Sequence, residues 1–173
     1  MKAIDFIRRS MQFQDQFSPQ FFEDMRDAPL TQPTPRGGNH PLWVLGHLAH
    51  SEAELTGTIS GEPNPLAEWS DMFAPGTQPT TNAADYPPYD DVFEKYREAR
   101  ARSLKLLDEV GDAGLDDALP SAPPGMEEIF RTNADIFMIL IMHHHVHMGQ
   151  VADARRAAGR KPLMENPEPA AAS

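Results

Sequence analysis

Apolar residues recur at helical spacing in four stretches of the chain, and no stretch alternates as a β-strand would. The first stretch covers residues 2–26, where Ser18-Pro19 has the cap and first-turn pattern of a new helix. We therefore interpret this stretch as two helices that meet at Ser18. A second helix is predicted to begin between Asn39 and Pro41 and to continue to about Ile59.

Two further helices are predicted in the second half of the chain. The third follows Pro88 and ends at Gly111, because glycine readily takes the backbone conformation that closes a helix. The fourth begins at Thr132, which forms the pattern of a capping box with Asp135. It ends at Gly159.

Four main helices, each with an apolar stripe, predict an all-α protein with the architecture of a four-helix bundle and long loops. The longest predicted loop is residues 60–88, which have no apolar periodicity. A length of 173 residues is typical of one domain. We assign residues 1–162 to the bundle and residues 163–173 to a disordered C-terminal tail.

Charge and composition exclude several classes of function. The formal net charge is −11 with a pI near 4.9, and such a surface disfavours nucleic-acid binding. The chain has no cysteine, which excludes disulfides, thiolate metal ligands and a cysteine nucleophile. Charged residues occupy the N-terminus where a signal peptide needs an apolar run, and the apolar run Ile136–Met142 is far below the roughly 20 residues of a membrane span. We expect a cytoplasmic protein with no membrane partner.

Histidines are the candidate chemistry of this chain. Four of its seven histidines lie between positions 143 and 147, within the fourth helix. His143 and His147 are four residues apart, so they lie one turn apart on one face and can share a metal ion. That face also contains the apolar stripe, so both are predicted to point into the bundle. His144 and His145 are rotated from His143 by about 100° and 200°, which predicts surface or interface positions.

A third candidate ligand, His47, lies in the second helix, with His50 as a weaker alternative. Three inward histidines from two helices leave coordination positions open for water or substrate, which is typical of a catalytic metal site. Other interpretations remain: His47 as a hydrogen-bonded core residue, and the histidine pair as a surface group that scavenges metal. Gln150 is either a hydrogen-bond partner of a ligand or a polar residue near the bundle end. Glu54 is either solvated or ion-paired, or a base near His47.

The fourth helix is apolar on all sides between Ile136 and Met142, which indicates a second partner beyond its own core. Phe137, Met138 and Ile141 lie on the far side and favour a homodimer interface. The alternative is that the long loops cover them.

Two sequence elements resemble the DinB/YfiT-like superfamily. They are the stretch Trp43-Val44-Leu45-Gly46-His47-Leu48-Ala49 and, about 95 residues later, His143-xxx-His147-Met148-Gly149-Gln150 followed by Arg155-Arg156. The resemblance implies a four-helix bundle of unusual connectivity, commonly dimeric, that binds a divalent metal through His47, His143 and His147. Zinc and nickel are the metals most often found in the family, and manganese is a further candidate. Characterised relatives include thiol-dependent transferases and isomerases that use mycothiol, bacillithiol or glutathione.

The expected function is therefore that of a metal-dependent enzyme that activates a thiol cofactor or water for reaction with a small-molecule substrate. A thiol-dependent S-transferase-like activity is favoured, and any thiol must come from a low-molecular-weight cofactor because the chain has no cysteine. The alternatives are a metal-dependent hydrolase and a non-catalytic dimeric protein that binds a metal or another ligand. Many relatives have a glutamate after the first histidine of the pair, whereas this chain has His144, so no acid/base residue is assigned. Metal occupancy is expected to fall below about pH 6 as the ligand histidines protonate.

Overall fold

The computed structural model of the chain describes residues 1–33, 37–122 and 125–163. Within these ranges it contains five α-helices, labelled in chain order: α1 (Ala3–Glu23), α2 (Pro41–Ser60), α3 (Ser70–Phe73), α4 (Tyr89–Val110) and α5 (Asn133–Ala157). These residues form no β-strand, only an isolated antiparallel bridge between Ala118 and Thr132. The prediction of an all-helical protein is confirmed. The predicted tail lies outside the described residues from position 164 onward.

The predicted helix ends are set by local hydrogen bonds and by glycine. His40 caps α2, since its Nδ1 accepts a hydrogen bond from the backbone N–H of Trp43 at 3.0 Å. Gly111 follows α4 with a φ of 64°, which an L side chain rarely adopts. At the start of α5, Thr132 and Asp135 form the predicted capping box. These three boundaries follow from signals that are readable in the sequence.

The predicted break at Ser18 is wrong, because α1 continues through Pro19 as a single helix. Pro19 has no N–H to donate within the helix, a loss that usually kinks or breaks one. Here both halves of the helix are packed into the core: Met11 and Phe22 are completely buried, and the Phe22 ring lies 5.7 Å from that of Tyr96. Tertiary packing of the last turn therefore outweighs the local preference for a break.

Four long helices surround two apolar clusters, and α1 and α2 each contact both α4 and α5. One cluster is built around α2, and the other lies where α1, α4 and α5 meet. Phe137 belongs to the second cluster with no exposed surface, which corrects its predicted place on a dimer surface. Its neighbour Met138 is 51% exposed and Ile141 is half-buried. Among the described residues, no helix combines the length and apolar character needed to cross a membrane.

The segment 60–88 is more ordered than the predicted loop. It contains α3 and two short 3₁₀ turns, Ala67–Trp69 and Ala83–Asp85. Trp69 and Phe73 are buried in the first apolar cluster, so the segment packs against α2 through its aromatic side chains. This packing places the backbone of α3 beside the histidine-bearing face of α2.

Candidate metal centre

The side chains of His47, His143 and His147 meet at their Nε2 atoms between α2 and α5. The Nε2 of His143 lies 3.1 Å from that of His47 and 2.9 Å from that of His147. His47 and His147 are buried, and His143 is half-buried. The prediction that these three histidines point inward and lie together is confirmed, and the group is compatible with a metal site.

Hydrogen bonds on the outer side of two of these rings determine where their protons lie. The Nδ1 of His47 is 2.7 Å from the backbone carbonyl oxygen of Phe73, and the Nδ1 of His147 is 2.8 Å from the Oε1 of Gln150. Carbonyl oxygens only accept hydrogen bonds, so both Nδ1 atoms must carry the proton and donate. Both Nε2 atoms then present lone pairs to the centre, as metal ligands do. Gln150 is therefore the hydrogen-bond partner that the sequence offered as one of two interpretations.

Two of the three nitrogen separations, those that involve His143, fit a shared divalent ion. Nitrogen ligands bind zinc at about 2.0–2.1 Å, so two ligands that subtend about 90–110° at one ion lie about 2.9–3.4 Å apart. The separations of 2.9 and 3.1 Å fall in that range. Three neutral imidazoles suit zinc and nickel alike, so the donor set does not choose between them.

The protein environment keeps these histidines neutral. Burial, together with repulsion from the neighbouring rings, lowers the pKa of His143 to about 3. Burial also lowers the pKa of His47 to about 4, although the hydrogen bond to Phe73 opposes the shift. The pKa of His147 is lowered by burial against the effect of Gln150. A metal ion requires unprotonated ligands, and at His47 and His143 the folded protein supplies them below pH 6.

Aromatic packing fixes the orientation of His47. The Trp43 indole stacks on the His47 ring, with centroids 4.4 Å apart and an interplanar angle of 12°. The indole Nε1 donates to the carbonyl oxygen of Met72 at 2.9 Å, which ties α2 to the end of α3. Gly46 allows α3 to approach, since a Cβ at that position would lie 2.3 Å from the Phe73 ring. The Phe73 carbonyl was not predicted, because a backbone acceptor leaves no mark in the sequence.

The remaining candidates from the sequence do not join the three-histidine group. His50 lies with its Nε2 3.1 Å from the Oγ of Ser70, so the weaker alternative ligand points elsewhere. Glu54 is exposed and accepts a hydrogen bond from Asn64 at 2.9 Å. His145 is exposed, as predicted. The group itself contains no carboxylate, so no acid/base residue is assigned.

His144 is buried, which corrects its predicted surface position. It is 1% exposed and accepts a hydrogen bond at Nδ1 from Arg100. On the helix, His144 is rotated from His143 by about 100°, as predicted. The side chain of His144 therefore faces α4 and not solvent. The buried face of α5 is wider than its apolar stripe.

A comparison with known protein families gives a match that spans the three histidines. Residues 15–151, more than half of the chain, match the family model of the DinB superfamily. The chain therefore belongs to the DinB superfamily. No curated protein matches it.

Proposed function

We propose that the chain is a metal-dependent enzyme that binds one divalent ion through the Nε2 atoms of His47, His143 and His147. The ion is zinc or nickel, or else manganese, and the helices have the four-helix-bundle topology of the superfamily. The favoured activity is an S-transferase-like reaction in which a low-molecular-weight thiol attacks a small-molecule electrophile. The supporting observation is that the three Nε2 atoms converge. In the rings of His47 and His147, the Nδ1 donates a hydrogen bond to a carbonyl oxygen, which leaves the Nε2 free to bind a metal.

The metal would supply Lewis-acid stabilisation of an anion, lowering the pKa of a bound thiol or water toward neutrality. The chain itself supplies three neutral ligands, which leave coordination positions open. Phe73 and Gln150 orient two of the ligand rings, and Trp43 covers one face of His47. The half-buried position of His143 gives the group its contact with solvent. A hydrolase would use the same residues with water in place of the thiol.

Metal analysis of the purified protein tests the site. We expect about one zinc or nickel per chain in untagged protein. We expect loss of that metal in His47→Ala and His143→Ala, because two nitrogen ligands bind far more weakly than three. His145→Ala is the matched control, since His145 is an exposed histidine of the same helix that lies outside the group. Wild-type protein that takes up neither zinc nor nickel would contradict the proposal.

A second measurement separates thiol from water chemistry. We expect glutathione, as a probe thiol, to produce a thiolate-to-metal absorption band in protein loaded with Co²⁺ or Ni²⁺. The band should be absent from His143→Ala treated in the same way. A metal-loaded protein that shows no band with thiols but hydrolyses activated esters would favour the hydrolase.

We also propose that the protein is a homodimer that associates through the outer face of α5. Met138, Met142 and Val146 are spaced four residues apart on that face and are 51%, 54% and 64% exposed. We expect wild-type protein to elute as a dimer and Met142→Lys as a folded monomer, measured by light scattering after size exclusion. Phe6→Lys, which changes a similarly exposed apolar side chain of α1, is the control. A wild-type monomer, or a Met142→Lys dimer, would contradict the proposal.

A further inference from the structure

The guanidinium group of Arg100 lies where the four long helices meet. Arg100 belongs to α4, and its Nε lies 3.1 Å from the Oδ1 of Asp15 on α1. Its Nη2 lies 3.4 Å from the Oε2 of Glu52 on α2 and donates to the Nδ1 of His144 on α5. Arg100, Glu52 and His144 are 4%, 2% and 1% exposed. We call these four residues the Arg100 cluster.

The contacts of His144 join both of its ring nitrogens to α4. A guanidinium group has donors and no acceptor, so the Nδ1 of His144 must be the acceptor. The Nε2 of His144 lies 3.1 Å from the hydroxyl oxygen of Tyr96 and 3.1 Å from the Nη2 of Arg100. Both ring nitrogens of His144 are thus bonded to α4, which fixes the rotation of α5 at this position.

The Arg100 cluster adjoins the three-histidine group through the backbone of two helices. His144 directly follows His143 on α5, and Glu52 comes five residues after His47 on α2. The three candidate ligands come only from α2 and α5, so their separations depend on the distance between these helices and on the rotation of α5. A rotation of α5 that breaks the bond between His144 and Arg100 moves His143 by the same angle.

The Arg100 cluster is not expected to add much to the stability of the fold. Charges that are removed from water lose hydration, and apolar replacements of a buried ion pair are often equally stable or more stable. The Nε and Nη1 of Arg100 are buried without a hydrogen-bond partner among the described residues, so the Nε meets Asp15 only as an ion pair. The distinctive property of the cluster is geometric, since one rigid, planar donor group contacts three other helices.

We infer that Arg100 is a positioning residue for the metal centre: through Glu52 and His144 it sets the placement of α2 and α5, and thereby the spacing of His47 and His143. The inference rests on the proposed metal site. Residues that orient ligands from outside a metal site typically change metal affinity by about 10- to 100-fold when they are replaced.

The test compares Arg100→Met with Arg155→Met. Arg155 is an equally buried arginine of α5 that forms an ion pair with Asp24 at 2.9 Å and a hydrogen bond with the carbonyl oxygen of Lys161. Neither arginine contacts a ligand histidine among the described residues, but only Arg100 contacts Glu52 and His144. Zinc dissociation constants are measured by competition with a chelator, apo-protein melting temperatures by circular dichroism, and ligand geometry by the visible spectrum of Co²⁺-loaded protein. We expect Arg100→Met to bind zinc about 10- to 100-fold more weakly, with a changed Co²⁺ spectrum. Arg155→Met should lower the melting temperature and leave affinity and spectrum unchanged.

Two further variants keep the inference testable. Arg100→Lys retains the charge but lacks the planar fork, so its zinc affinity should lie between those of wild type and Arg100→Met. If Arg100→Met does not fold, Tyr96→Phe replaces it, since this change removes the hydroxyl group beside the His144 Nε2, together with its hydrogen bond to Ser18. We then expect a zinc dissociation constant several-fold higher and a shifted Co²⁺ spectrum.

Wild-type zinc affinity and spectrum in Arg100→Met, or in Tyr96→Phe where that replaces it, would overturn the inference while leaving the metal site intact. A wild-type protein that binds no metal would overturn the proposed function itself, and the inference with it.

Discussion

Gly46→Ala is expected to lower the free energy of unfolding by about 2–3 kcal/mol, within the usual range for an overpacked core. It is also expected to weaken metal binding by at least about tenfold. A Cβ at position 46 would lie 2.3–2.5 Å from three carbons of the Phe73 ring, a separation that real Cβ atoms do not show. The ring has no room to retreat, because it is completely buried between Trp69 and Tyr86. Displacement of Phe73 moves its backbone carbonyl away from the Nδ1 of His47, and the orientation of that ligand is lost.

Gly149→Ala is the matched control for this prediction. Gly149 also lies inside a helix, two residues from a candidate ligand, but a Cβ there meets no atom within 4 Å. Alanine at that position should stabilise the protein by up to about 1 kcal/mol, because glycine is the weaker helix former. Urea denaturation and zinc competition measure both quantities for the two variants. If Gly46→Ala were as stable and bound zinc as tightly as Gly149→Ala, the close approach of α3 would not matter for the site.

The parts of the site that could be predicted are those encoded by spacing along a single helix. The interval of four residues between His143 and His147 determines that they share a face, whatever lies opposite. The caps at Thr132 and Gly111 were equally local signals. For the same reason, Gln150 could be proposed as a partner of His147 from its position three residues away.

The parts that were not predicted depend on which element lies next to which. His144 and Phe137 occupy directions on α5 that look peripheral to its apolar stripe, yet α1 and α4 cover them. A helix with apolar residues on all sides does not reveal how many neighbours it has. The continuity of α1 through Pro19 likewise depends on contacts with other helices. Contacts between segments that are far apart in the sequence determine these features. The residue pattern of one segment does not show which other segments it contacts.

Apo-protein is expected to unfold in mild acid, because its histidines are neutral when folded and become charged when unfolded. Burial lowers the pKa of six histidines below the ordinary value of 6.5: His40, His47, His50, His143, His144 and His147. Below pH 6.5 the unfolded chain takes up protons at these positions, and the folded chain does so only at lower pH, so stability falls as the pH falls. Two carboxyl groups act in the opposite direction, since burial raises the pKa of Glu52 and raises that of Asp15 to about 6.

The six histidines less the two carboxyl groups leave an excess of up to four protons bound by the unfolded chain. Each excess proton changes the unfolding free energy by about 1.4 kcal/mol per pH unit, so the limiting slope is about 5 kcal/mol per pH unit. Domains of this size are typically stable by only about 5–15 kcal/mol. We therefore expect a steep unfolding transition of the apo-protein between pH 6.5 and the His47 pKa of about 4.

Zinc is expected to move this transition to lower pH, by about 3 kcal/mol of added stability at a free concentration one hundred times its dissociation constant. Because the folded-state pKa values of His47 and His143 are about 4 and 3, the metal should be retained below pH 6 until the protein unfolds. This revises the expectation that occupancy falls at the ordinary histidine pKa. Circular dichroism during acid titration, with and without zinc, measures both midpoints.

His143→Gln is the control. Its apo form should tolerate more acid than wild-type apo-protein, because one buried histidine is removed, and zinc should not change its midpoint. A wild-type midpoint that zinc leaves unchanged would mean that the three histidines bind no metal in the folded state.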